Sequence, residues 1–286
     1  MRIANLGGRA VLVHGQCAID IATASEGRFG PDLSPIYENW DAFRAWADAA
    51  EHADTDGVEI DRRALGAPSP APRQTFAIGL NYSAHAAESG FESPTQIPPV
   101  FTKFVSSFSG PDTEVVIPTG GTVDWEVELV AVIGRTAAKV SEADAWDYVA
   151  GLTAGQDISE RSSQLAGPAP QFSLGKSFPG FAPMGPWLVT TDELDNRDDL
   201  ELGCTLDGEQ MQKGRTRELI FSVPKLISKL SHTTPLYPGD IIFTGTPAGV
   251  GVGREPKRFI QPGERLDSWI EGIGELHQTF VAESEE

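Results

Sequence analysis

Two cysteines, Cys17 and Cys204, stand far apart in 286 residues, with no metal-type spacing. A disulfide framework is unsupported, and a reducing, cytoplasmic compartment is expected. Basic residues are scarce: 22 Lys and Arg against 41 Asp and Glu, a formal charge of -19. Displacing counterions from a nucleic acid takes clustered Lys and Arg, so no nucleic-acid partner is expected. The acidity would suit a cation, but it is also a common route to solubility. No apolar run reaches the roughly 18 residues of a membrane span. The start, MRIANLGGRAVLVHGQ, lacks the charged and then apolar pattern of a signal peptide, so neither a membrane partner nor export is expected.

What is present suits a large core, with 40% hydrophobic and 22% charged residues. Short strands are expected around 10–14 and 18–23, and a helix over 34–53 from the spacing of Ile36, Trp40, Phe43, Trp46 and Ala50. The Pro- and Ala-rich stretch 64–72 reads as a linker, which predicts a small N-terminal region, 1–70, before a main domain, 71–286. Beyond it, β-branched and aromatic runs recur at 76–78, 114–117, 126–133, 187–190, 200–206, 241–244 and 266–270. Helical patterns are fewer, at 81–89, 142–148 and 222–230, the last with Ser222 as its cap and Pro224 in its first turn. Strands outnumber helices without alternating regularly, which predicts a mainly β, α+β fold rather than a doubly wound sheet.

The segment 124–134, DWEVELVAVIG, carries the chemistry. On a strand, Glu126, Glu128, Val130 and Val132 share one face, and Val127, Leu129, Ala131 and Ile133 the other. Both faces are apolar in the later half, so the strand is expected to be buried with two carboxylates at its start. Two like charges roughly 7 Å apart are costly to bury unless a cation lies between them. An edge strand whose first residues reach water is the alternative. A third carboxylate, Asp157, ends the apolar run 148–154. Three carboxylates without His or Cys select a hard divalent ion, Mg²⁺ or Mn²⁺ first, with Ca²⁺ next. His85 and Glu88, three apart on a short helix, share a face, and such a carboxylate orients an imidazole as a general base. A surface ion pair would look the same in sequence. The stretch 249–253, GVGVG, hints at a nucleotide loop, but no helix follows it and no Gly-Lys-Ser/Thr closes it. Ser106, Ser107 and Ser109 lack a nearby His/Asp arrangement, so a serine hydrolase is not expected.

Five motifs in order, Asn81-Tyr-Ser-Ala-His85, Glu126-x-Glu128, Gln156-Asp-x-Ser-x-Arg161, Gly175-Lys-Ser-Phe178 and Ile241-Ile-x-Thr-Gly-Thr-Pro247, resemble the fumarylacetoacetate hydrolase family over roughly 75–280. The resemblance implies a mixed β-sandwich roll, a homodimer, and Mg²⁺ or Mn²⁺ held by Glu126, Glu128 and Asp157. It implies that His85 and Glu88 form a dyad on a lid, that Lys176 lies beside the substrate, and that Arg161, Gln164 and Thr246 contact it. Lys103, a charge inside an apolar run, is expected to face the same site. Glu160 departs from the small residue of many relatives and is expected to offset Arg161.

The implied activity is hydrolysis of a carbon–carbon bond in a small 2,4-dioxo acid, an acylpyruvate or a 2,4-diketo-3-deoxy sugar acid, giving pyruvate and a carboxylic acid. Oxaloacetate decarboxylation and oxo-acid isomerisation or tautomerisation are the alternatives, and a non-catalytic binder on the same fold is a remote one.

Overall fold

The computed structural model describes every residue except 50–56, 89, 91, 97, 285 and 286. Among the described residues the strands form a twelve-stranded sheet, a five-stranded sheet and a two-stranded ribbon. The long sheet is mixed: Val127–Ile133 runs antiparallel to Val149–Gln156 on one side and to Ile241–Phe243 on the other. Ile241–Phe243 in turn pairs in parallel with Thr75–Ile78.

Val127–Ile133 is buried at every position, and its alternation divides two cores. Val127, Leu129, Ala131 and Ile133 enter the core shared with the five-stranded sheet, where Leu266, Ile270 and Phe280 meet them. Val130 and Val132 enter a second core with Ile36, Trp40 and Phe43. Each such Val, Leu, Ile or Phe side chain, fully buried, contributes about 1.5–3 kcal/mol. Glu126 and Glu128 lie at the open end of this second face. That end holds the site.

The described strands of the first 70 residues extend the same sheet. Arg2–Leu6 pairs with both Arg9–His14 and Ala182–Val189, so the N-terminal strands continue the main layer. The helix expected over 34–53 is two helices, Leu33–Glu38 and Trp40–Ala49. Asn39 separates them, its amide turned back onto Pro35 and Ile36. The last stretch of that expected helix, 50–53, lies outside the described residues. Strand 18–23 ends at Asp20, whose carboxylate caps the short helix Ile21–Ala24.

The helix expected at 142–148 is one short 3-10 turn, Ala145–Tyr148. Ser141 and Asp144 bond each other locally instead, and β-branched Val149 opens the next strand. Val223–Ser231 forms as expected, with the Ser222 hydroxyl accepting from the Lys225 amide and Leu226, Ile227 and Leu230 buried. Ser83–Glu88 is the core of the helix expected at 81–89, whose last residue is not among those described. No helix of the described residues is long and apolar enough to cross a membrane.

Candidate active site

The backbone brings the three carboxylates together through one ladder. Val127 pairs with Gln156, so Glu126 and Asp157 fall side by side, and the Asp157 amide donates to the Glu126 carbonyl at 2.9 Å. Gln156 fixes the register further, its side-chain oxygen accepting from the Glu126 amide at 2.9 Å. Carboxylate atoms of Glu126, Glu128 and Asp157 then lie within 4.8 Å of one another, all three residues buried. The edge-strand alternative is excluded by that burial.

Cations of the chain reach into this cluster. Lys176 Nζ lies 2.9 Å from Glu126 and 2.6 Å from Asp157. Lys103 Nζ lies 2.6 Å from the other oxygen of Asp157 and also donates to the Lys176 carbonyl. Arg161 donates through Nε to Asp124 at 2.6 Å and through Nη1 to Gln164 at 2.8 Å. Its Nη2 stands 2.7 Å from Glu126, an ion pair off the line of a hydrogen bond. Glu128 touches none of these cations; among the described residues its Oε2 accepts only from the Gly245 amide, at 2.7 Å.

The electrostatics follow from those contacts. Burial opposes charge on Glu126, yet Lys176 and Arg161 outweigh it and hold the carboxyl well below the usual range. Glu128 goes the other way: burial, reinforced by Asp157 and Glu126, pushes it well above that range. Burial also raises Asp124 to about 6, against the pull of Arg161. Lys103 is lowered by burial, while Asp157 and Glu126 overcome burial and raise Lys176.

Above the cluster opens a cavity of about 510 Å³. His85, Glu88, Glu126, Arg161, Gln164, Lys176 and Thr246 line it, with apolar walls from Ile78, Leu80, Phe101, Leu165 and Phe172. His85 Nδ1 is 3.2 Å from Glu88 Oε1, which leaves Nε2 as the ring nitrogen for a substrate or water. The structure therefore gathers on one cavity His85, Glu88, Glu126, Arg161, Gln164, Lys176 and Thr246, and leaves Lys103, Glu128 and Asp157 off its lining. Glu128 and Asp157 lie beneath it, and Lys103, expected to face it, is sealed behind Asp157 with its side chain 0% exposed. Thr246 borders the cavity, but its hydroxyl is engaged, donating to the Val127 carbonyl and accepting from Gln212. Glu160 does not offset Arg161; its carboxylate caps the short helix Arg161–Gln164 at the amides of Ser162 and Ser163.

Two contributors escaped the sequence reading of roles. Asp124 anchors Arg161, and its signal was present, since it lies two and four residues before Glu126 and Glu128 on the same side of the alternation. Lys257 borders the cavity from the 254–260 segment, where no pattern singled it out.

The chain matches the fumarylacetoacetate (FAA) hydrolase C-terminal family over residues 74–281. It belongs to that family. Within it, the chain is 43% identical over 236 residues, 82% of each protein, to the 2,4-didehydro-3-deoxy-L-rhamnonate hydrolase of Sphingomonas sp. (strain SKA58). A crystal structure of a Mycobacterium smegmatis protein shares 55% identity at a TM-score of 0.94, covering 99% of this chain and 100% of that one. The maleylpyruvate hydrolase of Sphingobium sp. SYK-6, solved with manganese (II) and pyruvate, shares 29% identity at a TM-score of 0.82, over 99% and 100%. The FAA hydrolase fold of mainly β, mixed sheets is thus common to this chain and the two solved structures.

Proposed function

We propose that this chain is a Mg²⁺- or Mn²⁺-dependent hydrolase that cleaves a carbon–carbon bond of a small 2,4-dioxo acid, releasing pyruvate and a carboxylic acid. The observation that carries the reading is Glu128, a buried carboxylate that lies beside two others and that no cation among the described residues touches. An all-oxygen donor set of this kind fits a hard divalent ion. Charge bookkeeping agrees. Asp124, Glu126, Glu128 and Asp157 face Lys103, Arg161 and Lys176, one negative charge in excess. A divalent ion turns that into one positive charge, which the carboxylate of an oxo acid matches. The manganese and pyruvate in the maleylpyruvate hydrolase structure support the same ligand pair.

Bound there by Glu126, Glu128 and Asp157, the ion would supply Lewis acidity toward the oxo groups. The rest falls to side chains. His85, oriented through Nδ1 by Glu88, takes a proton from water, which adds to the distal carbonyl carbon. Arg161 is fixed by Asp124 and Gln164, and with Lys176 it faces the charge that develops on oxygen. Gln164 accepts from Arg161 with its oxygen, so its amide nitrogen is the group to donate to substrate. The bond between the distal carbonyl carbon and its neighbour breaks with the electron pair leaving on the pyruvate side. Reprotonation there completes pyruvate.

The 43%-identical rhamnonate hydrolase supports a 2,4-diketo-3-deoxy sugar acid as the substrate to try beside acylpyruvates. A homodimer and a cytoplasmic location belong to the same reading; exposed Phe104, Val105 and Leu174, 48%, 46% and 71% accessible, are surface such a dimer would cover. The test is an assay of the purified chain on both substrate classes and on oxaloacetate, with Mg²⁺, with Mn²⁺ and with chelator. Metal-dependent pyruvate with an equimolar carboxylic acid is the expected result. Carbon dioxide from oxaloacetate alone, or rearrangement without cleavage, would replace hydrolysis by decarboxylation or isomerisation.

A further inference from the structure

The GVGVG stretch, which the sequence leaves without a role, wraps the lid carboxylate. The Gly249 amide donates to Glu88 Oε2 at 2.9 Å and the Val250 amide to Oε1 at 3.3 Å, the same oxygen that meets His85. From the other side Gly253 closes in: a Cβ there would stand 2.7 Å from Glu88 Cγ, 2.9 Å from Cδ and 3.0 Å from Oε1. The turn that allows this needs glycine at 249, where φ is +108° and a Cβ would meet the Met211 carbonyl at 2.2 Å. One residue before Gly253, the Val252 amide donates to Asp124 at 2.7 Å, and Asp124 holds Arg161.

We infer that this segment positions the dyad, with Gly253 the position where a side chain would displace Glu88 and release His85. The inference rests on the dyad of the proposed hydrolase. Its physical basis is that a carboxylate at the end of a short helix has rotamer freedom, which would leave the imidazole unoriented. Two amides and a missing side chain remove that freedom. The same segment fixes Asp124, so the base and the guanidinium are set by one piece of backbone. Gly253 is not in the left-handed region, and the three atoms nearest its added Cβ all belong to the Glu88 side chain. A methyl group there pushes on Glu88 and leaves the fold intact.

The experiment uses the metal-loaded full chain, with the diketo acid it cleaves best, in four forms: wild type, Gly253→Ala, Gly253→Ala with Glu88→Asp, and His85→Ala. Loss of the group that orients a metal-ligating imidazole costs about 10–100-fold; the same orienting role at a general base predicts that Gly253→Ala lowers kcat by about that factor with KM and the metal requirement unchanged. Glu88→Asp, one methylene shorter, should restore most of the loss in the double variant. A readout free of turnover is the His85 Nδ1–H proton resonance, assigned by its loss in His85→Ala, expected in wild type and lost in Gly253→Ala. Wild-type kcat and an unchanged resonance in Gly253→Ala overturn the inference while leaving the dyad standing. So does a kcat loss that Glu88→Asp fails to recover. Wild-type kcat in His85→Ala overturns the dyad itself, and the inference with it.

Discussion

Lys176→Met removes the ammonium that bridges Glu126 and Asp157 and keeps a side chain of similar reach. In the metal-free protein both buried carboxylates lose a partner, at 2.9 and 2.6 Å. Breaking a buried ion pair from one side costs about 3–5 kcal/mol. Glu126 keeps Arg161 and Asp157 keeps Lys103, so the lower end, about 3 kcal/mol, applies. Unfolding entropy near 2.1 cal/mol/K per residue gives about 0.6 kcal/mol/K for this length, and a fall in Tm of about 5 °C. Differential scanning calorimetry in chelator, then with saturating Mn²⁺, checks both halves of the argument. Mn²⁺ should raise the Tm of Lys176→Met more than that of wild type, because the ion enters a site relieved of a competing positive charge. Activity should stay absent, since the ammonium also borders the substrate cavity. An unchanged metal-free Tm would refute the bridging role, and equal Mn²⁺ stabilisation of both proteins would place the ion elsewhere.

His85→Ala should lower kcat by about 10²–10⁴ with Mn²⁺ affinity intact by calorimetry; loss of metal binding would contradict the assignment. Glu128 holds its proton more tightly in the folded protein than in the unfolded chain, so the metal-free Glu128→Gln variant should exceed wild type in Tm at neutral pH and lose its stabilisation by Mn²⁺. Asp124 supplies the pH test. Its carboxyl rises from an ordinary 3.8 to about 6, so the native state holds the proton more tightly than the unfolded chain. Its contribution is full below about pH 4 and is lost as pH climbs through about 6, an order of 3 kcal/mol. Metal-free Asp124→Asn should therefore gain on wild type in Tm between pH 4 and 7, and a drift in the opposite direction sinks the reasoning.

Much of this was readable from the chain, for a physical reason. The alternation from Val127 to Ile133 assigns each residue to one of two cores before either is seen, because a strand buried on both faces has nowhere else to put them. The carboxylates Glu126, Glu128 and Asp157 were readable as a group because burial of like charge needs a cation. Other features depend on contacts that sequence spacing does not carry. Glu88 and Gly249 are 161 residues apart, so a glycine run without a helix behind it offers no sign of what it holds. Lys103 interrupts an apolar run, which marks it as unusual, but which side of Asp157 it approaches is decided by its contact with the Lys176 carbonyl. Asp124 was one step of the same alternation away from being recognised.

The buried charges form an ordered chain: Lys103, Asp157, Lys176, Glu126, Arg161, Asp124, each beside one of opposite sign. As a stability device this is poor, since well-packed apolar residues of equal volume commonly serve as well or better. The chain is neutral and closed in itself. Glu128 stands outside it, against Asp157 and Glu126, with one backbone amide for company. If the ribbon served packing alone, a fourth carboxylate would be a pure penalty, and Gln at this position would be the cheaper residue. A divalent ion reverses the sign of that penalty. It makes Glu128 the group through which a neutral ribbon acquires the positive charge that an oxo acid can meet.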